Sequence, residues 1–475
     1  MTQKIYKYIV FFLFMFLGTH TVTIAQNSQM TVAADTIVAA KAATTIISTA
    51  IATEDVAKLD SGNTAWIIVA TILVLLMTIP GLALFYGGLV RKKNVISILM
   101  QCLILTGVIS IIWIAFGYSW VFGTSFVDSG NPLGSVIGGF DKVFLKGITI
   151  HSLSAGNIPE LLFVLFQCMF AVITPALIIG AFAERIKFSG FLLFAVLWSV
   201  LVYNPMAHWV WGGGWLQKLG AIDFAGGTVV HINAGISALV MAIMLGCRRG
   251  YKRDGHPMTP HNTPLVFIGT ALLWVGWFGF NAGSGLAADG LAASAFLVTH
   301  LAASVSAVVW MTLEWSINKK PTAVGFCTGA VAGLVAITPA AGTVDVLGAF
   351  FIGLTTAVIC FTMVAYVKSK LKYDDTLDAF GVHGVGGVVG SILTGVFATR
   401  VITGENGVQG ALYGDWHQLW IQILATLATI VYSAVLTAIL FLIVDKTIGL
   451  RVTKEDESIG LDISQHGEMA YSENE

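Results

Sequence analysis

Along this chain the apolar residues gather in long runs, and the polar residues are confined to short joints between them. A membrane-spanning helix needs about 20 predominantly apolar residues. Eleven runs approach or exceed that length, with cores at 65–87, 95–121, 159–182, 188–207, 225–246, 264–284, 290–316, 322–339, 344–367, 378–397 and 417–444. The eighth and tenth are the shortest and are rich in glycine (Gly325, Gly329, Gly333; Gly381, Gly384, Gly386, Gly387, Gly390). Small residues let helix backbones approach closely inside a bundle. The pattern predicts an all-α polytopic membrane protein with eleven transmembrane helices.

The joints set an orientation, because Lys and Arg concentrate on the cytoplasmic side. Of the 25 basic residues, the joints after odd-numbered runs hold Arg91, Lys92, Lys93, Arg185, Lys187, Arg248, Arg249, Lys252, Arg253, Lys319, Lys320, Lys368, Lys370, Lys372, Lys446, Arg451 and Lys454. The joints after even-numbered runs hold only Lys142, Lys146, Lys218 and Arg400. The bias predicts an external N-terminus, a cytoplasmic C-terminus and an odd number of spans in a plasma membrane. Residues 1–25 read as a signal peptide: Lys4 and Lys7 form its charged start, Ile9 to Leu17 its apolar stretch, and Thr23-Ile24-Ala25 its cleavage site. A twelfth helix is the competing reading, although about ten apolar residues are too few to span. Residues 26–63 form an external Ala/Thr-rich segment, 64–448 the membrane domain and 449–475 a cytoplasmic tail.

Composition agrees and excludes other classes. Charged residues are 11% of the chain and apolar residues 56%, against about 25% charged in ordinary soluble domains. Disorder requires the opposite balance. A net charge of −1 gives no basic excess for nucleic acid. The 5 cysteines (Cys102, Cys168, Cys247, Cys327, Cys360) fall in spans or at their basic ends, so no disulfide is predicted.

Five spans followed by five spans form two halves of opposite orientation, about 64–246 and 264–397, plus one extra helix. Inverted repeats of this kind place a substrate site at the midplane. The fifth span of each half carries a histidine after an acid: Asp223 before His231, and Asp378 before His383. His231 lies eight residues beyond Asp223, roughly 12 Å along a helix. A tenth helix starting near Tyr373 puts His383 roughly 15 Å from the opposite face. With a hydrocarbon core about 30 Å thick, the two imidazoles meet near its middle. Ionisable groups at that depth are functional by default, and paired structural histidines are the plain alternative. A zinc site wants three or four protein ligands, and no cysteine or deep carboxylate supplies the third, so no metal or other cofactor is expected. His300 has no counterpart and reads as structural.

Aromatic residues cluster toward the outer side. Trp211 sits just outside the fourth run, Phe166 and Phe170 lie within the third, and Trp277, Phe280 and Ser284 climb the sixth. Aromatic faces attract cations. An interfacial aromatic belt accounts for the tryptophans equally well, and helix packing for the i,i+4 pair Phe166 and Phe170.

Several longer motifs are similar to those of the ammonium transporter family, Amt/Mep/Rh, of the bacterial Amt type. They are AHWVWGGGW (207–215), GAIDFAGGTVVHINAGISALV (220–240), GWFGFNAGS (276–284), FGVHGVGG (380–387), PGLALFYGGLVRKKN (80–94), AERIKF (183–188) and GLDISQHGEMAY (460–471). The resemblance covers roughly residues 62–471. It implies a homotrimer of eleven-helix protomers, each with its own pore for ammonium or methylammonium. Trp211 and Ser284, with Phe170, would form an outer recruitment site that Trp277 helps to shape. Phe170 and Phe280 would stack as a gate, with Phe166 lining the approach. His231 and His383 would be the twin pore histidines and the proton relay. Asp223 would support conduction structurally, its plainer reading being a helix N-cap. The tail would regulate the pore, with a cytoplasmic P-II signal protein as partner. An electroneutral gas channel of Rh type and an ammonium sensor are the alternatives; an enzyme is disfavoured because no nucleophile set lines the spans.

Overall fold

The computed structural model describes residues 58–251 and 259–471. The signal peptide, most of the external segment, Lys252 and Arg253 lie outside the described residues. Among the described residues, ten helices are long and apolar enough to cross a membrane: α1 Ser61–Leu89, α2 Lys92–Asp128, α3 Glu160–Phe182, α4 Phe188–Leu219, α5 Gly227–Leu245, α6 Thr263–Gly283, α7 Gly290–Asn318, α9 Val346–Leu371, α10 Phe380–Phe397 and α11 Trp416–Thr447. The eighth apolar run forms α8, Ala323–Ile337, at 15 residues. At about 1.5 Å per residue it is shorter than the others. Its glycines let it sit deep in the bundle. A Cβ on Gly329 would lie 2.5 Å from the Trp310 side chain, and one on Gly333 would lie 2.4 Å from the Ala302 carbonyl. α4 runs on to Leu219, twelve residues past the end expected from hydropathy, so Trp211 belongs to the helix rather than to the loop after it.

Several of the scarce acids sit at helix starts, where backbone N–H groups lack partners. Asp60, Asp289, Asp345 and Asp415 cap α1, α7, α9 and α11 through their carboxylates. α2 has no cap from its own flank. Its Ser97 N–H instead donates to Asp462 in the C-terminal tail, 2.8 Å away.

Charges from distant joints meet at one end of the bundle. Glu184, after α3, accepts from the Arg91 backbone and its Nε, at 2.6 and 2.7 Å, and from Arg248 Nη1 at 3.3 Å. Arg248 also forks onto Asp374, with Nε and Nη2 each 2.9 Å from a carboxylate oxygen. Arg185 Nη2 donates to the Asp374 carbonyl at 2.7 Å. The joints after α1, α3, α5 and α9 are thus locked together. The tail lies across them: Lys187 N–H donates to the Leu450 carbonyl at 2.7 Å, and Glu457 accepts from the Arg249 N–H at 2.5 Å. This basic end is where the odd-numbered joints were expected to gather.

Candidate functional site

α5 and α10 run through the centre of the bundle and share an unusual opening. Each begins with a widened helical turn that carries its histidine, at Gly227–Ile232 and Phe380–Gly384. The two helices touch at glycines. A Cβ on Gly235 would lie 2.1 Å from the Gly384 nitrogen, and one on Gly387 3.0 Å from the Ile232 nitrogen. That approach brings the buried His231 and His383 rings together, nearly parallel at 20°, with their Nδ1 atoms 3.4 Å apart. A neutral imidazole has one N–H and one acceptor nitrogen. If one Nδ1 donates to the other, the donor ring keeps an accepting Nε2 and the acceptor ring keeps an Nε2–H. The pair then presents one acceptor and one donor. His231 Nε2 is buried with no hydrogen-bond partner.

Each helix is capped by a carboxylate eight residues before its histidine. Asp223 accepts from the N–H groups of Gly226, Gly227, Thr228 and Val229, at 2.8, 2.5, 2.7 and 3.0 Å, and from the Thr228 hydroxyl. In the second half the equivalent residue is Asp375, which accepts from Ala379 and Phe380 at 3.1 and 2.8 Å. This corrects the expected pairing of His383 with Asp378. Asp378 has a left-handed backbone, with φ at 59°, and its carboxylate meets Lys368 instead.

Asp223 also fixes the aromatic group around Trp211. Its carbonyl accepts from Trp211 Nε1 at 2.8 Å. Five donors exceed the roughly four lone-pair sites of a carboxylate, so its side chain has no capacity left for a cation. Trp211 meets Phe170 edge-on, with centroids 6.0 Å apart. Phe170 packs on Phe280 at 4.4 Å and on Phe166 at 5.0 Å. Phe166, Phe170 and Phe280 are all buried, while Trp211 and Ser284 are partly exposed. The Ser284 hydroxyl donates to the Phe280 carbonyl at 2.8 Å, leaving its oxygen able to accept.

Trp277 is placed differently from expectation. It lies one helical turn below Phe280 and stacks on His231, with centroids 5.4 Å apart and planes at 21°. Its Nε1 donates to Thr338 Oγ1 at 2.9 Å. Trp277 therefore packs with His231 and not with Trp211. Thr338 and Asp375 were missed from sequence, although the shared eight-residue spacing was a legible signal for Asp375.

Between Phe280 and His383 lies a cavity of about 10 Å³, walled by apolar side chains such as Leu82, Ile173 and Leu273 and by the two imidazoles. A cavity holds a single water when it offers roughly 10–15 Å³. His383 also lines a wider cavity of about 540 Å³ that opens at the basic end. Among the described residues, no group of three or more His, Cys, Asp or Glu side chains is arranged to hold a metal ion. His300 lies on the exposed face of α7 against Trp274, with centroids 5.5 Å apart, and lines neither cavity.

Residues 65–471 match the model of the Ammonium Transporter Family. The chain is 51% identical over 417 residues to an ammonium transporter of Aquifex aeolicus, covering 88% of this chain and 95% of that one. It is 49% identical over 414 residues to an ammonium transporter of Bacillus subtilis, covering 87% and 99%. The crystal structure of Saccharomyces cerevisiae Mep2 superposes with a TM-score of 0.79 at 36% identity, covering 88% of this chain and 93% of that chain. The chain belongs to the ammonium transporter family, and its function is ammonium transport across a membrane.

Proposed function

We propose that this chain recruits the ammonium ion at its outer aromatic group, removes one proton there, and conducts neutral ammonia past the twin histidines. The observation that carries this reading is the narrow apolar cavity closed by Phe280 above and His383 below. Moving a bare ammonium-sized ion into such surroundings costs on the order of 20 kcal/mol by an idealised Born estimate. Neutral ammonia avoids that cost and is about the size of water. Capture of the cation rests on the Trp211 and Phe170 faces and on the Ser284 oxygen. Asp223 holds Trp211 in place and takes no part as a ligand.

At the phenyl pair one N–H bond of ammonium breaks, and its electron pair stays on nitrogen. The freed proton moves to the His231–His383 pair and is passed inward, while ammonia crosses as the neutral molecule. The donor and acceptor Nε2 atoms replace hydrogen bonds that ammonia leaves behind in water. Ammonia regains a proton in the wide basic-end cavity. One charge then crosses in each cycle, so transport is electrogenic. The chain carries this out as eleven spans in two inverted halves, with the basic end in the cytoplasm. It assembles as a homotrimer with one pore per protomer, and its tail is the surface on which a P-II signal protein acts.

Uptake of labelled methylammonium in a transport-deficient host, competed by ammonium across external pH, tests the substrate. Purified protein on a supported membrane tests the charge. A transient current on adding ammonium is expected, and its absence rules out the electrogenic form in favour of a neutral gas channel.

A further inference from the structure

The cavity below the histidines contains an ion pair that the pathway described so far does not use. Lys368 Nζ lies 2.6 Å from Asp378 Oδ1, and the two side chains are 16% and 26% exposed. Both line the same cavity of about 540 Å³ as His383, so whatever leaves the histidine pair arrives beside them. The other cation on this wall, Arg248, is engaged by Asp374 and Glu184. Asp375 lies behind the pair. Burial raises its carboxyl, Lys368 pulls it down and Asp378 pushes it up again, and the balance leaves it at about 6. A single lysine therefore balances two carboxylates at the exit.

The chemistry of the lysine tip bears on the cargo. A lysine ammonium is an alkylated ammonium ion with three N–H donors, close in size and charge to methylammonium. Any carboxylate that binds the tip well also binds the transported ion once it is protonated again. Without Lys368, Asp378 would stand at the pore exit as an open site for product. Its left-handed backbone keeps it turned into the contact with Lys368.

We propose that Lys368 is a tethered occupant of a product site: by holding Asp378 it keeps transported ammonium from being retained at the pore exit, and so sets the rate of release. This rests on the ammonium-transport reading of the pore. Lys368 touches neither the recruitment residues nor the histidines, so it acts on the exit step alone.

The test uses the full-length protein in right-side-out vesicles, with methylammonium uptake measured at increasing internal ammonium. The variants are K368Q, D378N and the double K368Q/D378N. In K368Q, half-inhibition by internal ammonium is expected at about three- to fivefold lower concentration, the upper part of the range of one freed charge contact, with the external KM unchanged. In the double variant the exit carboxylate is gone as well, and sensitivity returns to within about twofold of wild type. An ion pair that merely pins α9 to α10 is broken equally in K368Q and in the double. Equal impairment of the two, or wild-type sensitivity in K368Q, overturns the proposal. Wild-type vesicles that show no ammonium-competed uptake would instead overturn the transport reading beneath it.

Discussion

Gly235 and Gly384 are in backbone contact, so close that a Cβ on Gly235 would lie 2.1 Å from the Gly384 nitrogen and 2.3 Å from its Cα. This crossing is what allows His231, one turn before Gly235, and His383, next to Gly384, to face each other. A methyl group at Gly235 cannot be absorbed by a flexible neighbour, because its neighbours are main chain. Overpacking of this kind costs about 1–3 kcal/mol. Gly235→Ala should therefore part α5 from α10, lower thermal stability in detergent, and abolish methylammonium uptake while the protein still reaches the membrane. Undiminished uptake would show that the glycine crossing does not position the histidines.

The contact it protects is the Nδ1 to Nδ1 approach of 3.4 Å. His231→Ala removes one partner, and with it the donor or acceptor the ring offers to a passing molecule. A lost interaction of about 1.4 kcal/mol corresponds to a tenfold change in rate. Uptake in this variant is expected to fall at least about tenfold, or to continue without charge movement. Uptake and current at wild-type levels would remove the histidines from the mechanism.

How much of this was legible in the sequence depends on the range of the interaction. The spans were readable because their signal is local: apolar runs of sufficient length, interrupted by Lys and Arg at every second joint. The meeting of His231 and His383 was readable because depth follows from residue count and helical rise. The second acid was misassigned because the segment DDTLD offers three candidates, and nearness in sequence favoured Asp378 over Asp375. Which carboxylate turns back onto the helix is decided by backbone dihedrals, and the positive φ of Asp378 points it elsewhere. The network at the basic end escaped for a different reason. Arg185 reads only as one of the basic joint residues, and nothing local marks Glu184 or Asp374, yet the three are 0%, 1% and 0% exposed. Their partners lie far along the chain, as with Arg185 and Asp374 at a separation of 189, and no local pattern records such pairing.

Asp223 joins the cap of α5 to the position of Trp211, so one substitution should disturb both. Asp223→Ala leaves four backbone N–H groups and a hydroxyl without their acceptor. Loss of an N-cap alone costs about 0.5–2 kcal/mol. The aromatic rim around Trp211 should loosen as well, because the Asp223 carbonyl holds Trp211 Nε1. The expected outcome is lost uptake together with altered tryptophan fluorescence. Asp223→Asn, which can still accept, should retain part of the stability. Full activity in the alanine variant would contradict the supporting role assigned to this residue.

The acid limb of stability should report on Asp374. Burial alone would raise its carboxyl, but hydrogen bonds from Arg248 and the charges of Arg248 and Arg185 outweigh it and hold the group below the usual carboxylate range. An unfolded Asp titrates near about 3.9. Between that value and the lower native one, the unfolded chain binds more protons than the folded chain, so stability rises with pH there. The contribution is complete above about pH 4–5 and is lost as pH falls through the acid range. Asp374→Asn abolishes the charge and leaves Arg248 and Arg185 short of a counter-ion in a buried site. Removing one partner of a buried pair costs about 3–5 kcal/mol. Thermal unfolding in detergent should therefore show a lower midpoint for Asp374→Asn at neutral pH and a shallower fall below about pH 4, where the wild type loses the same contribution by protonation. Equal midpoints at pH 7 with parallel acid limbs would mean that the ionic cluster at the basic end does not hold the joints together.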